Sequence, residues 1–183
     1  LCGKVELNEK ITPLDLPLHP FLLGWTCAQG TWNFSTAGLN VGNNRFMATK
    51  FKFMGYKIRK NMDTGYYFLK GLDDDKRRKF TCCRQEELAC IPAEYKYASI
   101  QSRWEYIHGL MMRNGRSKDL HPFVAMPNKR LIEDIAEVVR SLGIWARVTQ
   151  IEDEPTKIGW WKVTMVAPDN KELMTHPCYQ KIA

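Results

Sequence analysis

Two carboxamide side chains, Gln29 and Asn114, occupy matched places in the chain, and each is followed directly by a glycine. They close two versions of a nine-residue pattern, Leu22-Leu23-Gly24-Trp25-Thr26-Cys27-Ala28-Gln29-Gly30 and Ile107-His108-Gly109-Leu110-Met111-Met112-Arg113-Asn114-Gly115. Gly24 to Gly109 and Gly30 to Gly115 are both 85 positions apart, so the chain reads as two diverged copies of one unit. An amide can cap the end of its own helix or bond across to its twin, and it brings no charge.

Other chemistry-bearing residues are dispersed. Cys2, Cys27, Cys82, Cys83, Cys90 and Cys178 include no C-x-x-C pair, and the nearest histidine to the central three is His108, so the ligand spacing of a zinc site is missing. Reduced cysteines are expected, with Cys27 a small residue on a packed helix face. His19, His108, His121 and His176 are scattered along the chain and are assigned no catalytic role.

The elements that must position these residues can be read around them. Pro20 suits the first position of a helix running toward Gly30. In copy two, Ser102-Arg103-Trp104-Glu105 has the form of a capping box, with the helix running to Asn114 and Gly115 after it. Glycine inside a helix costs about 0.5 to 1 kcal/mol relative to alanine, so Gly24 and Gly109 predict that the two helices approach closely. The expected contact set is Gly24, Cys27, Ala28, Gly109 and Met112.

Between Lys129 and Leu142, the stripe of Leu131, Ile135, Val138 and Leu142, widened by Ile132, Ala136 and Val139, predicts an amphipathic helix capped by Asn128 and ended by Gly143. Strands are expected at 144–150 and 159–166, and in weaker form after Gly55. Phe53-Met54-Gly55-Tyr56-Lys57-Ile58 answers Ser141-Leu142-Gly143-Ile144-Trp145-Ala146, and Gly65-Tyr66-Tyr67-Phe68-Leu69 answers Gly159-Trp160-Trp161-Lys162-Val163. Alternation turns one residue of each aromatic pair inward. Each half reads helix, short strand or loop, helix, two strands.

Hydrophobic residues make up 44% of the 183 and charged residues 26%, which excludes wholesale disorder, and no apolar run approaches the roughly 20 residues that span a bilayer. Leu1-Cys2-Gly3-Lys4 lacks the apolar core of a signal peptide, so a cytoplasmic protein with no membrane partner is expected, phage-encoded and acting in a host cytoplasm being the variant of that expectation. Lys and Arg number 27 against 20 acids, a net charge of +7 that suits a polyanionic partner. Lys50, Lys52, Lys57, Arg59 and Lys60 gather around one helix-to-strand turn, while Arg113, Arg116 and Lys118 follow the second motif. Arg77, Arg78 and Lys79 lie beside Asp73, Asp74 and Asp75 and read as a solvated loop.

These residues resemble those of the two-repeat LAGLIDADG, or dodecapeptide, homing endonucleases, of the type found in bacterial and phage inteins. Pro20-Phe21-Leu22-Leu23-Gly24 through Gln29-Gly30 is similar to the first motif of that family. Ile91-Pro92-Ala93-Glu94-Tyr95-Lys96-Tyr97-Ala98-Ser99, with Arg103 and Gly109-Leu110-Met111, is similar to the approach to its second motif helix. The resemblance runs from about Leu16 to Val166 and implies an α+β fold of two pseudo-symmetric repeats, each helix, strands, helix, strands, with curved antiparallel sheets packed with the paired motif helices. It implies a domain order of an N-terminal extension at 1–15, a first repeat with linker at 16–90, a second repeat at 91–170 and a tail at 171–183.

The family carries one acid at the end of each motif helix to hold divalent metals, and Gln29 and Asn114 stand there instead. Mg2+ favours anionic oxygens and must offset charge developing on the phosphate, so the resemblance implies a degenerate site with little or no cleavage, no catalytic residue and no resident metal. Glu105, two and a half turns before Asn114, and Asp119, beyond the glycine, are poorly placed as substitutes. What remains is a platform for double-stranded DNA, with Lys50, Lys52, Lys57, Arg59, Arg113, Arg116, Lys118, Arg147 and Lys162 as candidate contacts. Two alternatives stand beside it: an active endonuclease with relocated Mg2+ ligands, and a domain recruited as a structural or RNA-contacting part of a larger assembly. An intein that splices in its own right is disfavoured, because His176-Pro177-Cys178 only faintly resembles a splice junction.

Overall fold

The computed structural model of the chain describes residues 13, 15–28, 34–35, 38–72, 90–118, 121–152 and 159–166. Contacts divide the chain into two compact units, residues 31–81 and residues 1–30 with 82–183. The class is α+β, and the order of elements repeats.

In unit 31–81, β1 (Phe34–Ser35), β2 (Gly38–Gly42), α2 (Arg45–Phe53), β3 (Lys57–Lys60) and β4 (Tyr67–Lys70) form an antiparallel sheet in the order β1-β2-β4-β3 with one helix. Asn44 begins α2, its Oδ1 accepting from Met47 N at 3.1 Å. The helix ends in a Schellman arrangement, with Tyr56 N donating to Phe51 O and Gly55 N donating to Lys52 O. That turn requires a left-handed residue, and Gly55 has φ 87°. Met47, Ala48 and Phe51 of α2 are buried, as are Leu39, Val41 and Leu69 of the sheet.

The other unit holds α1 (Pro20–Cys27), α3 (Ala93–Lys96), α4 (Ile100–Asn114), β5 (Arg116–Lys118), β6 (His121–Met126), α5 (Lys129–Ser141), β7 (Trp145–Gln150) and β8 (Trp161–Val166). Its sheet has the order β5-β6-β8-β7, the same connectivity as the first. Asn128 caps α5 through Leu131 N at 2.8 Å. The same Schellman turn recurs at Gly143, φ 82°, with Ile144 N donating to Val139 O and Gly143 N to Arg140 O. Leu131, Ile132, Ile135, Val138 and Val139 of α5 are buried, each contributing roughly 2 kcal/mol.

Two expectations read from the residues are revised. Two strands, not one, lie between the helices of each copy, and β1 and β5 are only 2 and 3 residues long, too short to print a period-two pattern. Ser99 caps α4, its Oγ accepting from Ser102 N at 3.2 Å, while Ser102 lies buried in the first turn. The end of α4 is as expected, at Asn114 with Gly115 after it, and Gly115, at φ −66° and ψ 138°, leads out in extended form and needs no left-handed residue. Its glycine answers crowding instead, since a Cβ there would lie 2.5 Å from Met111 O. At the other motif helix, α1 ends at Cys27, and Gln29 and Gly30 lie outside the described residues, as do Cys2, Cys82, Cys83, Cys178, His176, Asp73 to Asp75 and Arg77 to Lys79.

α1 carries the first motif yet packs along α4, which carries the second. A Cβ on Gly24 would lie 1.9 Å from Tyr106 O, and one on Gly109 would lie 1.9 Å from Phe21 O. Each glycine thus admits the backbone of the other helix.

Candidate nucleic-acid interface

In unit 31–81 the strand register sorts the side chains by face. Leu39, Leu69 and Ile58 line up across β2, β4 and β3 on the face covered by α2. Lys57 pairs with Lys70, and Arg59 pairs with Phe68, which in turn pairs with Asn40, so these residues share the opposite, open face. Lys57 and Arg59 are exposed and Lys70 is half-buried. Two lysines directly across a ladder repel each other and weaken the sheet; an anion laid over them removes that cost. Lys50 and Lys52 lie elsewhere, in the last turn of α2, where cations complement the helix dipole.

In the second unit Arg116, Phe123, Thr164 and Arg147 are in register across all four strands. Lys162 pairs with Ala125 and Thr149 on that same face, its ammonium 5.7 Å from the centre of the Phe123 ring. Arg116 and Arg147 are exposed and Lys162 is half-buried. The reverse face carries Val124, Val163, Met165 and Ala146, all buried, and α5 packs against this sheet. Lys118 is on β5 in register with His121, and its side chain lies outside the described set. Arg113 is not on the sheet: its guanidinium lies 5.2 Å from the Trp25 ring, between the motif helices.

Sequence reasoning passed over Lys70, Phe68 and Trp145. Trp145 is 51% exposed and shares its face with Arg147. For the first two a signal existed, because inward Leu69 forces residues on either side of it outward. Strand pairing also corrects the match between the copies: Arg59 pairs with Phe68 and Arg147 with Thr164, so Phe68 corresponds to Thr164 and not to Lys162. The shift of two residues preserves the face.

Charge is divided unequally. Residues 31–81 hold 11 of the 27 Lys and Arg and 4 of the 20 Asp and Glu, so the net +7 of the chain belongs to this unit.

At the end of α4, Asn114 is half-buried, and its Nδ2 donates to Ala125 O of β6 at 3.1 Å. The contact orients the amide, since only its nitrogen can donate to a carbonyl. Asn114 Oδ1 is left as one neutral oxygen, and the cation of Arg113 is one residue away on the same turn. That donor set does not fit a divalent cation. Among the described residues no group of three or more His, Cys, Asp or Glu side chains is arranged to hold a metal. Cys27 and Ala28 are buried at the end of α1, and Met112 is half-buried on α4. No helix among the described residues is long and apolar enough to cross a membrane.

No family model matches the chain, and no curated protein matches it. Solved structures do. Mesophilic variants of the homing endonuclease I-DmoI are similar with a TM-score of 0.55 at 16% identity, over 85% of this chain and 85% of that one. I-DmoI with its target DNA nicked in the coding strand, in the presence of manganese, is similar with a TM-score of 0.55 at 12% identity, over 88% and 96%. I-DmoI with its target DNA in the presence of magnesium gives 0.51 at 13%, over 84% and 95%. At these identities the likeness is one of fold: the chain has the α+β fold of the homing endonuclease I-DmoI.

Proposed function

We propose that this chain is a degenerate homing-endonuclease-like protein that binds double-stranded DNA through the cation-bearing faces of its sheets and cleaves it little or not at all. The observation that carries the reading is the gathering of cations on those faces, Lys57, Arg59 and Lys70 in one unit and Arg116, Arg147 and Lys162 in the other. Phosphates position a duplex through such side chains, and strand residues between them reach base edges in the major groove. The I-DmoI structures hold target DNA, and a shared fold supports the same class of partner here.

The loss of cleavage follows from chemistry at the ends of the motif helices. Gln29 and Asn114 supply no anion, and Asn114 is already engaged by a backbone carbonyl. Without anionic ligands a divalent ion is not held where it could offset charge on the scissile phosphate. An intein-borne origin rests on the Ile91–Ser99 motif, and the cytoplasm of a bacterium or of a phage host is the corresponding setting.

Fluorescence anisotropy with a labelled duplex, beside supercoiled plasmid incubated with Mg2+ or Mn2+, tests both halves. Binding that weakens steeply with salt and plasmid that stays supercoiled are the expected results. Chelator-sensitive nicking would restore the endonuclease alternative with relocated ligands. Duplex binding no stronger than binding to heparin would favour a recruited structural or RNA-contacting role.

A further inference from the structure

The open face of the 31–81 sheet is not flat. A hollow of about 460 Å³ opens on the β3–β4 hairpin, between the turn at Asn61 to Asp63 and the side chains of Arg59, Phe68 and Lys70. Its size falls within the range of small-ligand sites, about 300 to 1,000 Å³. The turn that walls it is fixed by its own hydrogen bonds. Asn61 Oδ1 accepts from Asp63 N at 2.8 Å and Thr64 N at 3.2 Å, Asn61 N donates to Tyr66 O at 2.7 Å, and Gly65 N donates to Asn61 O at 2.9 Å. Gly65, φ 71°, closes the turn in a conformation that other residues resist.

The lining is specific in what it combines. Arg59 and Lys70 suit a phosphate, Phe68 offers an aromatic face, and Asp63 adds a carboxylate. Asp63 does not suit a phosphate alone, because it would repel one. Among the described residues its carboxylate joins none of these cations in an ion pair, so it faces solvent with its acceptor capacity unused. A ligand that satisfies all three features carries a negative group, a flat π-system and N–H donors. A nucleotide has all of them, and guanine has two adjacent donors, N1–H and N2–H, that fork onto one carboxylate. In a paired duplex that edge is occupied, so the nucleotide has to be unpaired.

We infer that the hollow on the β3–β4 hairpin receives one unpaired guanine nucleotide, stacked on Phe68, with its base edge on Asp63 and its phosphate among Arg59 and Lys70. The inference rests on the duplex-binding reading and adds to it a preference for DNA in which one base is extruded. Even where it is not engaged, the sheet around it still contacts backbone through Lys57 and Arg59.

The test compares three labelled duplexes of one sequence, fully paired, with a single extrahelical dG, and with a single extrahelical dT, against the full chain and its Phe68→Ala and Asp63→Asn variants. The extrahelical dG duplex is expected to bind at least about tenfold more tightly than the paired one, in line with base stacking on an aromatic ring. Phe68→Ala returns it to the level of the paired duplex. Asp63→Asn, on an exposed turn where folding is not at stake, removes the preference for dG over dT and leaves the gain from stacking. Equal binding of paired and extrahelical duplexes overturns the inference and leaves the duplex reading standing, whereas binding of neither overturns both. A dG preference that survives both variants overturns the inference too, since the base is then read elsewhere.

Discussion

At the scale of single residues, the amide at position 114 is part of the scaffold. Asn114 Nδ2 donates to Ala125 O, fixing the end of α4 to β6. An ionised aspartate cannot donate, and it would set a negative charge beside that carbonyl oxygen. Asn114→Asp is therefore expected to cost about 2 kcal/mol, the lost hydrogen bond plus a buried acceptor left facing another. Urea unfolding followed by circular dichroism measures it, and an unchanged midpoint would mean that the contact contributes nothing. The chemistry of this position was legible from the chain alone, because residue type decides whether charge is available. Its partner was not, since Ala125 is 11 residues away on a strand whose register no local pattern states. The neighbour of Arg113 was not legible for a related reason: Trp25 lies on the other motif helix, and the exposed guanidinium stands 5.2 Å from its indole ring.

Among the elements, the close pair of α1 and α4 decides between two opposing effects. On helix propensity alone Gly24→Ala would gain up to about 1 kcal/mol. The added Cβ would fall 1.9 Å from Tyr106 O, a backbone atom that moves only if the helices part. Overpacking of this kind costs about 3 kcal/mol, so a clear net loss of thermal stability is expected for Gly24→Ala and for Gly109→Ala, and a rise in Tm would refute the contact. The approach to α4 is fastened independently. Lys96 is 13% exposed and lies 2.8 Å from Asp134 Oδ1 and 2.6 Å from Glu137 Oε2 on α5, while Asp134 Oδ2 accepts from Ile91 N. Burial pulls the ammonium pKa down, but hydrogen bonds to Asp134 and Glu137 outweigh it and hold the value above the ordinary lysine range. With the folded value raised, the stabilisation is complete below the unfolded pKa, near 10.4, and fades as pH climbs through the folded one. Lys96→Met should cost about 2 kcal/mol at neutral pH, and the gap to the natural chain should narrow only in strong alkali; a gap that narrows already near pH 8 would contradict the pairing. Arg103, 0% exposed, completes the clamp through Ala98 O and Ser141. Hence the segment from Ile91 to Arg103, which carries the resemblance to a known family, has packing duties of its own in this fold, quite apart from any chemistry at the motif helices. α5 was legible because stripe and caps agree, and β1 and β5 were not because so few residues carry no period.

For the molecule as a whole, the two copies share strand order and helix-to-strand turns but differ in the chemistry they present. Glycines 85 positions apart revealed the duplication, and the total of +7 was plain from composition. How that charge is divided was not, because α1 belongs to the first copy in sequence and to the other unit in contacts. At equivalent register the first sheet has Lys57 opposite Lys70 and the second has Trp145 opposite Val166. On this face one unit presents cations and the other a mixture of cations and apolar surface. Counterion release makes the salt dependence of binding count phosphate contacts, close to 0.9 per phosphate on duplex DNA. The triple variant Lys57→Gln, Arg59→Gln, Lys70→Gln should therefore flatten the slope of log K against log salt by roughly 2 to 3, weakening binding about equally for every sequence. Trp145→Ala should leave that slope unchanged and weaken binding at all salt concentrations alike, because apolar and stacking contacts release no counterions. Anisotropy titrations across a salt series separate the two, and a slope that Trp145→Ala flattens as much as the triple variant does would mean that the chemical division between the sheets has no counterpart in binding.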